Sequence, residues 1–544
     1  MRRLSLFLFS LFLCLTTFAQ EPRPVKNIIV MIPDGTSIGV YSAARWYKFF
    51  NKMGDGLHID PFITGTVRTF SSNAPIGDSA PTTSTYMTGV LQRTGNIAIH
   101  PVPDPENDLY PTDPNRTYQP AATLLEASRI EQGKATGLVV TCEFTHATPS
   151  DCSAHHYSRK NYDALAPQIA YQNLDVMFGG GNSILTDDIK QHFRNNGTTL
   201  IQNDKQAFLN YNKDGKVWAL FGERAMPYDL DRNPDKVPSL AEMTGKAIEL
   251  LSKNENGFFL MVEGSLVDWA AHANDPIGII TEFIAFDEAV GKVMDFAHKD
   301  GNTAVVILSD HGNSGFTIGK QSCGGYDKLS ISDLFGTVSK FKLTSHGLES
   351  ILSTARPEDF RGIFKKYTDI DLTDEELESL LASKNYKEGN YMNVSNSQNL
   401  AHNIINIYNA HTCFGFTTHG HTGEEVILSA YHPDGTVPRG HVKNLDIHKY
   451  LYDVSGLKTP LVELTDRIFV KHTDVFAGMK YRIDNKDTKI PILVVEKGRS
   501  KLEIPAFSSV GKWNGKSFDI GSVVVYIDKN DTFYLPKCLA DKFK

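Results

Sequence analysis

Four short runs along the chain are apolar at nearly every position: NIIVMI (27–32), TGLVVT (136–141), FFLMV (258–262) and TAVVIL (303–308). They are β-branched or aromatic, too short for full helices, and lack the alternation of a strand with one wet face. Runs of this kind are expected of central parallel strands covered on both sides. Helix-like stretches lie at 122–132, 239–252 and 283–300. Strands taken in turn with helices predict an α/β fold, a doubly wound and mostly parallel sheet with helices on both faces.

The pattern then changes twice. Residues 322–401 turn polar and helical, and in DLTDEELESLLASK (371–384) Thr373 and Glu376 have the spacing of a capping box. This segment reads as a largely helical insertion. From 461 onward come DRIFVKH, YRIDN, PILVVEK, LEIPAF and SVVVYID, short strand-like runs parted by turns such as GKWNGKS. The expected division is a leader at 1–19, an α/β domain at 20–460 carrying the insertion near 322–401, and a small β-rich C-terminal domain or subdomain at 461–544.

Composition narrows the setting. MRRLSLFLFSLFLCLTTFAQ opens the 544-residue chain with two arginines, an apolar run and a small-residue cleavage signal, as in a signal peptide cut after Ala19. Phe12 and Leu13 are bulky where a lipid attached to Cys14 would call for small residues. No later run reaches the roughly 18 apolar residues of a transmembrane span, so the reading is an exported protein, periplasmic or extracellular. A formal charge of −8 with mixed signs leaves no nucleic-acid-binding footprint. Beyond the leader stand Cys142, Cys152, Cys323, Cys413 and Cys538. That is too few for a disulfide scaffold, and closeness in sequence favours a Cys142–Cys152 bridge.

Candidate chemistry collects just after the apolar runs. Asp34 closes NIIVMIPD, Glu263 closes FFLMVE, and Asp310 with His311 closes TAVVILSDH. In open α/β sheets, sites form beyond the carboxyl ends of strands, so these distant residues are expected to converge. Asp268 and His272 in EGSLVDWAAH share one face of a helix, and His421 lies in the polar loop THGHTGEE. One acid after a strand is commonly a solvated turn, and one histidine is commonly a surface residue. Three acid-ended strands with a DxxxH helix face point instead to a metal site, with imidazoles favouring zinc and an oxygen-rich place favouring magnesium. In GDSAPTTSTYMTG (77–89), Asp78 and Ser79 are helix-capping types and Pro81 suits a first helical turn. A helix starting there would aim N–H groups and a positive dipole end past the serine.

PDG (33–35), GDSA (77–80), HATP (146–149), SRK (158–160), VEGSLVDWAAH (262–272), SDH (309–311) and HTGE (421–424) together resemble the alkaline phosphatases, in that family's order. The resemblance implies hydrolysis of small-molecule phosphate monoesters, over a broad range, through a phosphoserine intermediate at two Zn2+ and one Mg2+. It assigns the nucleophile to Ser79 and the phosphate clamp to Arg159. One zinc falls to Asp268, His272 and His421, the other to Asp34, Asp310 and His311, and the magnesium to Asp34, Thr148 and Glu263. His146 and Trp269 become surrounding candidates. An imidazole at 146 would draw the third site toward zinc, weaken magnesium through its charge, or serve only as a harmless donor behind the ligands. Trp269 stands where some bacterial relatives carry a lysine, walling the leaving-group side or simply packing its helix. Residues 221–254 resemble the animal members, which hold a calcium, but Val237 replaces an expected aspartate and Glu223 is left unassigned. The family permits a homodimer. A metal-dependent phosphodiesterase and a binding protein on the same fold are the alternatives; GDSAPTT does not resemble a sulfatase signature.

Overall fold

The computed structural model describes residues 22–384 and 399–544; the leader reading, Cys14 included, and part of the insertion fall outside them. The ten-stranded central sheet comprises β1 (Asn27–Pro33), β2 (Ile63–Arg68), β3 (Ala135–Glu143), β4 (Val176–Gly180), β5 (Thr199–Gln202), β6 (Val217–Leu220), β7 (Phe258–Gly264), β8 (Thr303–Leu308), β9 (Val426–Tyr431) and β10 (Gly440–Lys443), in the order β10-β2-β9-β8-β1-β7-β3-β4-β6-β5. Pairing is parallel except where β9 runs antiparallel to β2 and β8. All four apolar runs are strands of this sheet, and β8, β1, β7 and β3 are immediate neighbours at its centre.

The absence of alternation in those runs has a direct cause. Ile29 and Met31 of β1 enter one core with Leu260, Val262, Val305 and Ile307, while Ile28, Val30 and Ile32 enter a second with Phe259, Met261 and Val306. Each strand therefore feeds two apolar layers, one per sheet face. Helices cover both. Thr123 and Glu126 form a capping box at Leu124–Gln132, and Ser239 and Glu242 form one at Leu240–Leu251. The long helix spans Pro276–Asp300 and starts ahead of the expected 283, because Asp275 accepts from the N–H of Ile277 and Gly278 with Pro276 in first place.

The insertion is helical, including the expected capping box at Asp374–Ser383. Its ends are joined by a Cys323–Cys413 disulfide spanning 90 positions, next to the antiparallel pairing of Thr317–Ile318 with Phe414–Gly415. The expected Cys142–Cys152 bridge does not form. Cys142 sits on β3 with its Sγ 3.6 Å from Glu263, and Cys152 turns to the Thr148 carbonyl. Nearness along the chain misled, because strand pairing brought the remote cysteines together.

At the C-terminal end, a five-stranded antiparallel sheet covers Lys480–Asp484, Ile492–Lys497, Ser500–Pro505, Val510–Trp513 and Lys516–Asp519. Two expectations change there. DRIFVKH is divided: Asp466–Ile468 closes the helix Leu461–Ile468, whose buried stripe is Leu461, Leu464, Thr465 and Ile468, while Val470–Lys471 is a short strand paired with Tyr534 and Leu535. GKWNGKS is itself a hairpin, with Asn514 and Gly515 both at positive φ in its two-residue turn.

Closing the 90-position loop between Cys323 and Cys413 contributes about 4.6 kcal/mol by chain entropy. Reduction is therefore expected to speed limited proteolysis between 324 and 412 at least tenfold while the central sheet resists. Equal cleavage rates with and without reductant, followed by mass mapping, would remove this role for the disulfide.

Candidate metal centre

Three of the central strands, β1, β7 and β8, deliver acids to one edge. Asp34 follows β1, Glu263 ends β7, and Asp310 and His311 follow β8; all are fully buried. Neighbouring strands lie about 4.8 Å apart, so residues hundreds of positions distant become side-chain neighbours. His311 Nε2 is 3.5 Å from Asp34 Oδ1 and 3.3 Å from Asp310 Oδ2.

A second group adjoins the first. The helix Leu266–Ala273 carries Asp268 and His272 on one face, with Nε2 of His272 3.4 Å from Asp268 Oδ2. His421 arrives from far along the chain because His421–Thr422 pairs with Gly312–Asn313, directly after His311. Its Nε2 lies 3.2 Å from His272 Nε2 and 3.9 Å from Asp268 Oδ1, and its ring stacks on His311 at 3.6 Å. Donor atoms of Asp268, His311 and His421 also fall within 4.8 Å of one another, so the two groups are contiguous.

All three imidazoles are oriented in the same manner. His272 Nδ1 donates to the His419 carbonyl at 2.6 Å, His311 Nδ1 to Gly312 at 3.0 Å and His421 Nδ1 to Gly77 at 2.9 Å. A carbonyl only accepts, so each Nδ1 carries the proton and each Nε2 turns a lone pair inward. Burial, aided by His311, pushes His421 down to about 4, keeping it neutral.

The acids tell the complementary story. Both oxygens of Asp34, Oδ2 of Asp310, Oε1 of Glu263 and Oγ1 of Thr148 are buried without a hydrogen-bond partner. Burial and the charges of Asp310, Asp268 and Glu263 raise Asp34 well above the carboxylate range, and burial pushes Glu263 up to about 8. Unsatisfied buried carboxylates are costly, and cations are what such a set accepts. The donors present therefore fit metal ions, with nitrogen and oxygen in one part and oxygen in another.

Gly35 explains the PDG motif. It stands at φ +61°, and a Cβ there would lie 2.3 Å from Asp268 Oδ1. Its N–H donates to Asp310 Oδ1 at 3.1 Å, and Asn313 Nδ2 steadies Asp268 Oδ1 at 2.7 Å.

Ser79 opens the helix Ser79–Thr88, and its Oγ lies 3.3 Å from His311 Nε2. Asp78 holds the N-cap position without capping by its side chain. Its carboxylate binds Arg159 Nη1 instead, which sequence reading missed by treating Asp78 only as a capping type. Arg159 Nη2 meets His146 Nε2 at 3.3 Å. Burial and the Arg159 charge push His146 down to about 4, and its ring stands edge-on to Trp269 at 5.8 Å. Sequence reading also missed Cys142, whose sulfur groups with His146 and Glu263 within 4.8 Å. The cleft above these residues holds about 1020 Å3 and is lined by Ser79, His146, Arg159, Asp268, His272 and His421.

Residues 25–457 match the family model described as Alkaline phosphatase. The chain is 33% identical to alkaline phosphatase 3 of Bacillus subtilis over 80% of its own length and 91% of the relative's. It is 30% identical to the alkaline phosphatase of Escherichia coli over 54% and 71%. Among solved structures, the cold-active alkaline phosphatase of a psychrophilic Shewanella superposes with a TM-score of 0.67 at 25% identity, covering 79% of this chain and all but 1% of its own (99%). The Thermus thermophilus alkaline phosphatase shares the fold at TM-score 0.68 and 22% identity, covering 82% and 97%.

Gly35→Ala is expected to displace Asp268 and at least halve the bound metal per chain by elemental analysis. Gly245→Ala, where an added Cβ meets nothing within 4 Å, serves as control. Full metal content in the Gly35 variant would show that this close approach does not hold the site.

Proposed function

Because the chain belongs to the alkaline phosphatase family and hydrolyses phosphate monoesters, we propose that it does so through a phosphoserine on Ser79, at a centre of two zinc ions and one magnesium ion. The observation that carries this reading is the common inward turn of three Nε2 lone pairs toward buried acids that lack partners. Asp268, His272 and His421 would hold one zinc, Asp34, Asp310 and His311 the other, and Asp34, Thr148 and Glu263 the magnesium. When bound, these ions supply a lowered hydroxyl pKa and stabilisation of developing negative charge.

The rest is the work of the chain. Ser79 Oγ gives up its proton to solvent and attacks phosphorus as the ester P–O bond breaks, and the departing oxygen keeps the electron pair and takes a proton from water. Water then loses a proton and attacks the phosphoserine: its P–O bond forms as the Oγ–P bond breaks, the electron pair stays on Oγ, which takes up a proton, and phosphate leaves. Arg159 presents a planar fork to two phosphoryl oxygens, held in orientation by Asp78 at Nη1. The N-terminus of Ser79–Thr88 adds main-chain N–H groups facing the same dianion. His146 braces Arg159 and sits beside Cys142 and Glu263, which supports zinc competing with magnesium at the third place. The leader-like residues 1–19 support export, and the described residues contain no helix long and apolar enough to cross a membrane. A homodimer fits the same family reading.

Rapid quenching with labelled substrate and peptide mapping is expected to find phosphate on Ser79. Ser79→Ala should lose the label and slow turnover by about 10³-fold or more, with little loss of stability, because Asp78 rather than Ser79 occupies the cap position. Label on another residue, or normal turnover by the alanine protein, overturns the assignment.

Truncation of Arg159 to Ala is expected to weaken inhibition by free phosphate roughly ten- to a hundredfold, the loss of charge-assisted hydrogen bonds. Metal content should be retained. Unaltered phosphate inhibition would exclude the clamp.

A further inference from the structure

A second cavity, of about 650 Å3, lies against the catalytic cleft. Met226, Tyr228 and Trp269 wall it on the side of the main domain, and Leu343, Ile351 and Ala401 of the insertion face them. Arg224 and His272 line both this cavity and the cleft, so the two spaces meet at that pair. Trp269 forms part of the partition, its ring edge-on to His146 in the cleft.

The direction of the reaction decides what enters. In phosphoryl transfer the attacking and leaving oxygens lie roughly in line on opposite sides of phosphorus. Ser79 Oγ stands beside His311, among the group of Asp34 and Asp310. The leaving oxygen is then directed to the other group, Asp268, His272 and His421. His272 is the residue shared with the second cavity, so the carbon attached to the leaving oxygen points toward it.

The wall also decides the chemistry. Among the polar side chains of the lining, Asp231 and His346 are already engaged. Asp231 accepts from Thr344 N at 2.9 Å and Thr344 Oγ1 at 2.5 Å, and His346 Nδ1 faces Glu349 at 3.4 Å. Hydroxyl-rich alcohols would find few open partners there, whereas flat or aliphatic bodies find Trp269, Met226, Leu343 and Ile351. The volume matches that of ordinary small-molecule pockets.

We infer that this cavity receives the alcohol portion of the substrate and favours monoesters whose alcohol carries an aromatic or aliphatic body, an inference that rests on the phosphomonoesterase reading above. Esters with small polar alcohols still react through the common phosphate machinery. The preference comes from the insertion, which supplies half the named wall.

The test compares 2-phenylethyl phosphate with ethyl phosphate, whose alcohols differ little in acidity. Ethyl phosphate turnover by the parent protein reports the reaction itself, so a failure of the phosphatase reading is seen separately. The parent is expected to show kcat/KM about tenfold or more higher for the phenylethyl ester, the scale of hydrophobic-pocket discrimination. Ser350→Trp, which fills the rim of the cavity from an exposed helix position, should collapse that ratio through loss on the phenylethyl ester. Competition by 2-phenylethylphosphonate against methylphosphonate on the parent protein gives the same comparison without a variant. Equal kcat/KM for the two esters, equal inhibition by the two phosphonates, or a parallel fall on both esters in Ser350→Trp would overturn the inference.

Discussion

Negative charge buried at the carboxyl edge of β8, β1, β7 and β3 is the constraint on which the rest of the site depends. Asp34, Asp310 and Glu263 are completely enclosed, and several of their oxygens lack any hydrogen bond within the protein. A sheet edge cannot tolerate this without compensation. Three imidazoles with their protons committed to main-chain carbonyls answer it with lone pairs aimed at the same volume. Acids and imidazoles together make a receptor for cations, which is what membership of the alkaline phosphatase family implies.

Much of the surrounding backbone follows from keeping that receptor dense. The chain passes Asp268 at Gly35, where any side chain would collide. The two-residue pairing of His421 with Asn313 brings a ligand candidate from beyond the insertion back to the edge of β8. Asn313 does a second job by holding Asp268. Such support matters because a ligand carboxylate free to rotate would lose part of its affinity to conformational entropy.

At Ser79 the chain trades a small local gain for a functional one. Asp78 has the backbone position of a cap, worth about 1 kcal/mol when its side chain closes on the helix, yet its carboxylate holds Arg159. The helix start, at Ser79, lines the cleft. The insertion follows a similar economy. It is tied at its base by Cys323–Cys413 and lends Leu343, Ile351 and Ala401 to a cavity that shares Arg224 and His272 with the cleft.

The sequence by itself determined the elements whose signal is local. Unbroken apolar runs such as NIIVMI specify strands covered on both faces, and Thr373 with Glu376 specifies a helix start, because burial and capping act over a few residues. Ordered motifs singled out Ser79, Arg159 and eight metal-ligand candidates, whose roles are the proposal made above. Tertiary structure alone decided which of these meet, and through which atoms. Strand order made β8, β1, β7 and β3 neighbours, Arg159 took the Asp78 carboxylate, and Cys323 paired with Cys413 rather than Cys142 with Cys152. The hairpin inside GKWNGKS and the helix over Leu461–Ile468 also escaped the sequence reading. In each case short segments were sorted by long-range packing, whose energy depends on partners that local spacing does not reveal.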